Sequence, residues 1–148
     1  MKILVNSIST KKHSGGAFQI ASNFIQETLA HPEVEWCYVV SADIDEILTE
    51  QVKHMTLYRV YPTQPDFRNS YWRVVKELRT LEQDWKPDVV YSITAPSYFT
   101  FETTEVMRFT NPWVTNPNKF SWSMLSWKER LRMRIYCQNQ RRMMSKSK

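Results

Sequence analysis

The residues best placed to do chemistry surround the only two glycines of this chain, Gly15 and Gly16. Glycine reaches φ > 0 freely and lets a ligand approach the backbone. The pair lies between a short apolar run and an amphipathic helical pattern, which gives the order strand, glycine loop, helix. The first N–H groups of a helix lack intrahelical partners and the helix dipole is positive there. The segment therefore predicts a phosphate or pyrophosphate site, and the alternative is that the glycines only turn the chain.

Length and composition predict one globular domain spanning residues 1–148. With 42% hydrophobic and 14% aromatic residues, the chain has enough apolar material for a core. No stretch approaches the roughly 18 apolar residues needed to span a bilayer, and residues 1–8 read as a first strand and not as a signal peptide. Two cysteines about a hundred positions apart indicate neither a disulfide framework nor a metal site. We therefore expect a reducing, cytoplasmic location.

The elements that must position the glycine loop alternate between strands and helices. Period-2 and apolar runs predict strands at 2–8, 36–41, 54–60, 88–93 and 113–115, and helical spacing predicts helices at 17–29, 43–50, 71–85, 97–109 and 123–144. Within the last helix, Trp127, Leu131 and Ile135 form one stripe, which we expect to face the core. Residues 61–69 contain two prolines and are predicted to be a loop.

Alternation of this kind predicts an α/β fold, a three-layer Rossmann-like domain with a mainly parallel sheet. Right-handed crossovers place the loops after the first, fourth and fifth strands at one edge of that sheet, where ligands bind in such folds. The candidate residues therefore converge from three separate parts of the chain.

Three motifs resemble the amino-terminal domain of family 4 (group 1) glycosyltransferases, which have the two-domain GT-B fold. They are the opening Met-Lys-Ile-Leu-Val, the Ser14-Gly15-Gly16-Ala17 turn, and Lys-Pro-Asp-Val-Val-Tyr at residues 86–91. The basic helix at 123–146 also resembles the segment that this family places before its sixth strand. Nothing in the chain matches the second, donor-binding domain of the family or its paired-glutamate motif.

The resemblance implies an acceptor-binding half of a transferase that is inactive without its donor-binding half. The reaction would move a sugar from a nucleotide-sugar to a hydroxyl of a saccharide or lipid-linked saccharide, with retention of configuration, as in polysaccharide biosynthesis. The nucleotide-sugar is a substrate, so no cofactor is expected, and no essential metal is expected either. The donor sugar, the nucleotide, the acceptor and the linkage are not specified by the sequence.

The resemblance also implies roles for particular residues. Backbone N–H groups of Ser14, Gly15, Gly16 and Ala17 would meet the donor phosphates, because a nucleoside diphosphate leaving group develops negative charge. Acceptor contacts would come from four side chains, His13, Thr94, Ser97 and Asn116. Family members often carry a histidine near the position of Asn116. The side-chain amide of Asn116 can form a hydrogen bond with a sugar but cannot take a proton. The alternative for His13 is a solvated loop histidine, and the alternative for Thr94 and Ser97 is that their hydroxyls only stabilise a turn.

The charge distribution supports a different class of function. Residues 125–148 contain eight basic residues and one acidic residue, whereas the whole chain carries a net charge of +5. A basic helix predicts salt-sensitive contact with nucleic acid or an anionic membrane, including the inner face of a cell membrane. The alternative is a solvated helix face over a stripe that packs on the core. The alternative function is therefore a Rossmann-like binding module for nucleotides or anionic partners, with nucleic acid the less favoured because no recognition motif is present.

A nicotinamide-dependent enzyme is a further rival. Asp43, after the second strand, would then bind a ribose hydroxyl, but the fingerprint requires three spaced glycines and the chain offers only an adjacent pair.

Overall fold

A five-stranded, all-parallel sheet forms the centre of the computed structural model, which describes residues 1–13, 15–54, 57–61, 70–97, 99–109, 112–115 and 118–145. The strands are β1 (Lys2–Ser7), β2 (Glu35–Ser41), β3 (Leu57–Tyr61), β4 (Val89–Ser92) and β5 (Glu105–Met107). Their order in the sheet is β3-β2-β1-β4-β5. From β1 the chain adds β2 and β3 on one side of the sheet, and it then crosses back to add β4 and β5 on the other side of β1.

The helices follow the strands along the chain. They are α1 (Gly16–Glu27), α2 (Ala42–Asp45), α3 (Glu50–Lys53), α4 (Tyr71–Trp85), α5 (Pro112–Thr115), α6 (Lys119–Ser123) and α7 (Trp127–Met144), with a 3-10 turn at Thr28–Ala30. The predicted α/β class and the Rossmann-like three-layer arrangement are confirmed. The helix expected at 43–50 is instead two single turns, α2 and α3.

Two apolar clusters pack on opposite faces of the sheet. One joins α1 to β1 and β2 through Val5, Ala21, Ile25 and Tyr38. The other joins α4 to the sheet through Leu4, Val39, Val74, Leu78 and Val90. Alternate residues of β1 and β2 supply the two clusters, as the period-2 geometry of a strand requires. Near-continuous apolar runs in these strands follow from burial on both faces.

The segment between β4 and α6 differs from the sequence prediction. The helix expected at 97–109 is wrong, because residues 105–107 form strand β5 beside β4. Backbone bonds from the Val90 N–H to the Thr104 oxygen and from the Arg108 N–H to the Ser92 oxygen, both 3.0 Å, hold it there. The strand expected at 113–115 is also wrong, since Pro112–Thr115 is the short helix α5. Phe99 and Phe101 in this segment are buried.

The carboxyl-terminal helix also differs. Ser126 interrupts the single helix expected from residue 123, and its side chain caps α7 in a reciprocal capping box with Glu129. The stripe expected to face the core is exposed: Trp127, Leu131 and Ile135 retain 71%, 53% and 52% of their accessible surface. The buried residues of α7 are Cys137 and Gln140. The helix is held mainly by its later turns, where the Arg141 guanidinium donates to the Val114 carbonyl oxygen at 3.1 Å.

Candidate functional site

The glycine loop lies at the carboxyl edge of the sheet, where β1 ends and α1 begins. Gly15 is the N-cap of α1 with φ of 56° and ψ of −126°, and no side chain caps the helix. Gly15 and Gly16 are both exposed. A Cβ placed on either residue would meet no atom within 4 Å, so the space in front of the first turn is open. The first turn contains no acidic residue, which leaves the positive end of the helix dipole uncompensated there.

The loops after β1 and β4 meet at this same edge. Thr10 Oγ1 and Thr94 Oγ1 lie 2.8 Å apart and share a hydrogen bond. Thr10 is fully buried, whereas Thr94 is partly exposed. Because β1 lies next to β4 in the sheet, this contact lies at the point where the strand order reverses. Ligands of open α/β sheets bind in the crevice at such a point.

The loop after β1 is also fixed on its other side, toward β2. Ser41 Oγ donates to the Thr10 carbonyl oxygen at 2.6 Å, and the Lys12 N–H donates to Asp43 Oδ2 at 2.7 Å. The Lys12 ammonium lies 3.6 Å from a Glu46 carboxylate oxygen. The Asp43 carboxylate therefore holds the loop, a role that differs from the ribose contact considered for it.

A buried polar chain inside the sheet supports this edge, and it was not predicted from sequence. Asn6 Nδ2 donates to Ser92 Oγ at 3.0 Å, and Ser92 Oγ donates to Glu105 Oε1. Asn6 Oδ1 in turn accepts the N–H of Ile8, the first residue of the glycine loop segment, at 3.3 Å. Asn6 and Ser92 are register partners in β1 and β4. Asn6 and Ser92 could have been noticed as single polar residues within two apolar strands. Glu105 could not, because it lies in a segment that we expected to be helical.

The predicted site residues have different outcomes. Gly15, Gly16, Ala17 and Thr94 lie at the carboxyl edge described above, and His13 is exposed in the same loop. Ser97 is buried and its hydroxyl donates to the Phe99 carbonyl oxygen at 3.0 Å, so we leave it out of the candidate site. Ser14 and Asn116 lie outside the described residues. The fifth strand that was expected just before position 116 is instead the short helix α5.

A surface cavity of about 500 Å³ lies between α4 and β3, the outermost strand on the β2 side of the sheet. Its lining mixes basic Arg59, Arg73 and Lys76 with acidic Glu77 and Asp84. Burial, with a smaller effect from Glu77, raises the pKa of the nearby Tyr61 phenol to about 12. Two strands separate this cavity from the boundary of β1 and β4, and its mixed charges favour no single class of ligand. The carboxyl edge at the boundary of β1 and β4 remains the better candidate, because open α/β sheets bind ligands where the strand order reverses.

Further features bear on the class of protein. Among the described residues, no group of three or more His, Cys, Asp or Glu side chains is placed to hold a metal ion. Within the same part of the chain, no helix is both long and apolar enough to cross a membrane. No protein-family model matches the chain, and no curated protein or solved structure matches it at a significant level. The fold and the local motifs therefore carry the functional argument.

Proposed function

We propose that this chain is the acceptor-side domain of a retaining glycosyltransferase that takes its sugar from a nucleotide-sugar. The observation that carries the proposal is the exposed turn at Gly15 and Gly16, which opens α1 at the carboxyl edge of β1. The Thr10–Thr94 contact joins the start of the loop that carries this turn to the loop after β4. A crevice of this kind, in a parallel α/β frame, suits a ligand with phosphate and hydroxyl groups.

The division of labour in the proposed enzyme follows from the charges at this edge. Backbone N–H groups of the first turn of α1 would face the negative charge that develops on the diphosphate leaving group. The hydroxyl of Thr94 and the imidazole of His13 would contact the acceptor. Strong nucleotide binding would come from a donor-binding half outside this chain, since one exposed helix N-terminus contributes at most about 2 kcal/mol.

A nucleotide titration of the isolated, isotope-labelled chain tests the proposal. Uridine and guanosine diphosphates and their sugars should bind weakly, with dissociation constants near or above about 1 mM, because micromolar binding requires about 8 kcal/mol. Amide NMR shifts should change at Gly15, Gly16 and Ala17. The amides of Lys2 and Asp88, at the amino edge of the sheet, should stay unchanged and serve as internal controls.

Two variants sharpen the test. Gly16→Val adds a side chain into open space and should abolish the shift changes while the fold persists. Ala30→Val, at the exposed opposite end of the same helical segment, is the matched control and should change nothing. Micromolar affinity in the isolated chain would instead favour the autonomous nucleotide-binding module. Shift changes confined to the cavity beside β3, or none at any concentration, would contradict the assigned site.

A further inference from the structure

Helix α7 presents an apolar stripe that nothing in the described structure covers. Trp127, Leu131 and Ile135 follow one another at intervals of four residues, so they lie within about 80° of each other on the helix surface. More than half of the surface of each remains exposed. Two more large apolar side chains, Phe120 and Met124, are 69% and 72% exposed in the segment just before α7. Contiguous exposed apolar surface of this kind marks an interaction site.

Basic side chains flank this stripe on both sides. Lys128 and Arg132 follow one border of the stripe, and Arg130 and Arg134 follow the other, at the positions given by 3.6 residues per turn. The described residues 118–145 contain seven basic residues and one acidic residue. That acidic residue, Glu129, lies away from the stripe and is bonded to Ser126 at the start of the helix. The exposed face of α7 therefore combines apolar surface with net positive charge.

We propose that this face of α7 binds the surface of an anionic lipid bilayer, with the helix lying in the plane of the interface. An interfacial helix buries Trp and Leu at the boundary of headgroups and acyl chains while Lys and Arg contact anionic headgroups. The 18 residues of α7 form a rod about 27 Å long. The two buried residues of α7, Cys137 and Gln140, lie about 120° and 180° around the helix from Leu131 at the centre of the stripe, which leaves the stripe available.

Charge and chemistry favour the bilayer over two other occupants. A second copy would bring two strongly cationic faces together, and like charges oppose such pairing. A nucleic acid would satisfy the basic residues, but Leu131 and Ile135 gain nothing from phosphates and are not side chains that read base edges.

Vesicle sedimentation tests the proposal. The full chain should sediment with vesicles in which a third of the phosphatidylcholine is replaced by phosphatidylglycerol, and stay in the supernatant with phosphatidylcholine alone. Added salt should release it, because screening weakens surface charge interactions. The double variant Arg132→Gln, Arg134→Gln should lower the partition coefficient by about 25-fold, since each basic residue near the surface accounts for about fivefold. The double variant Trp127→Ala, Leu131→Ala should also bind more weakly to the anionic vesicles.

Matched controls come from α4. Trp72 is 74% exposed and Arg79 is exposed, so Trp72→Ala and Arg79→Gln remove the same groups elsewhere. These variants should bind like the parent chain, and circular dichroism should show all variants folded. Equal recovery from both kinds of vesicle would overturn the proposal, and so would binding that the α7 variants leave unchanged. Tighter binding to a nucleic acid duplex than to anionic vesicles would also overturn it, as would self-association through the stripe without vesicle binding.

Discussion

Gly15 and Gly16 are neighbours, but the backbone requires glycine only at the first. Gly15 has φ of 56° and ψ of −126°, a conformation that L side chains rarely adopt, whereas Gly16 begins the helix with ordinary backbone angles. We predict that Gly15→Ala lowers the free energy of unfolding by about 1–3 kcal/mol through backbone strain. Gly16→Ala should leave it unchanged or raise it by up to about 1 kcal/mol, because alanine loses less entropy on folding.

Urea unfolding followed by circular dichroism measures this difference, with the slope against urea expected to be equal in both variants. Neither added methyl group meets an atom within 4 Å, so packing contributes nothing to the comparison. If the two alanine variants had equal stabilities, Gly15 would not need its left-handed backbone and the turn would be less constrained than the structure indicates.

The site residues that could be predicted are those with a purely local signal. The turn at residues 15 and 16 was visible because glycine and helix periodicity occur side by side in the sequence. Ser97 shows the limit of a local signal, because a hydroxyl after a strand has the same sequence signature whether it faces a ligand or, as here, bonds the Phe99 carbonyl oxygen. The bonds from Asn6 to Ser92 and from Thr10 to Thr94 join residues more than 80 positions apart, and no local pattern reports such a contact.

Among the elements, α7 depends on a reciprocal cap at its first turn. Hydrogen bonds from the Ser126 side chain and backbone lower the pKa of the Glu129 carboxyl below its ordinary value of 4.5. A lowered pKa means that the cap stabilises the helix fully above that ordinary value and loses its effect as the pH falls through the lower pKa. We predict that acidification frays the first turn of α7 within this window, seen as changes in the Ser126 and Glu129 amide shifts.

The variant Glu129→Gln provides the control for this pH dependence. Its amide can still accept the bond from the Ser126 N–H but does not titrate, so the first turn should give the same amide shifts across the acid range. If the α7 amide shifts of the parent chain did not change with pH, the cap would not control the first turn. If the Glu129→Gln variant kept the full pH transition, another carboxyl group would be responsible.

The elements that sequence patterns misplaced are those whose structure depends on distant partners. Residues 105–107 become a strand because β4 offers an edge, and the Glu82 carboxylate on α4 accepts the N–H groups of Glu102 and Thr103 just before it. The period of apolar residues there fits a helix equally well. In α7, the apolar spacing was read correctly as one stripe, but spacing cannot tell whether a stripe meets the core or the surroundings of the protein.

For the whole molecule, the five-stranded sheet was predictable as a class because buried parallel strands have apolar runs and alternate with helices. Cys37 reports on the integrity of this sheet, since it lies in β2 between its register partners Leu4 and Leu57 and is fully buried. Burial raises the pKa of its thiol to about 12, against a smaller opposing effect of Arg59. At neutral pH only about one thiol in 10⁵ would then be the reactive thiolate.

We therefore predict that Cys37 resists thiol reagents in the folded protein and reacts only when the sheet opens as a whole. In a Cys137→Ala background, where Cys37 is the single thiol, labelling should become rapid across the same range of urea in which circular dichroism reports unfolding. The Cys37 side chain lies in the apolar cluster between the sheet and α4, with Val74 and Leu78, so the thiol stays covered as long as α4 remains packed on the sheet. Labelling well below the unfolding midpoint would contradict this, and would mean that α4 leaves the sheet before the rest of the protein unfolds.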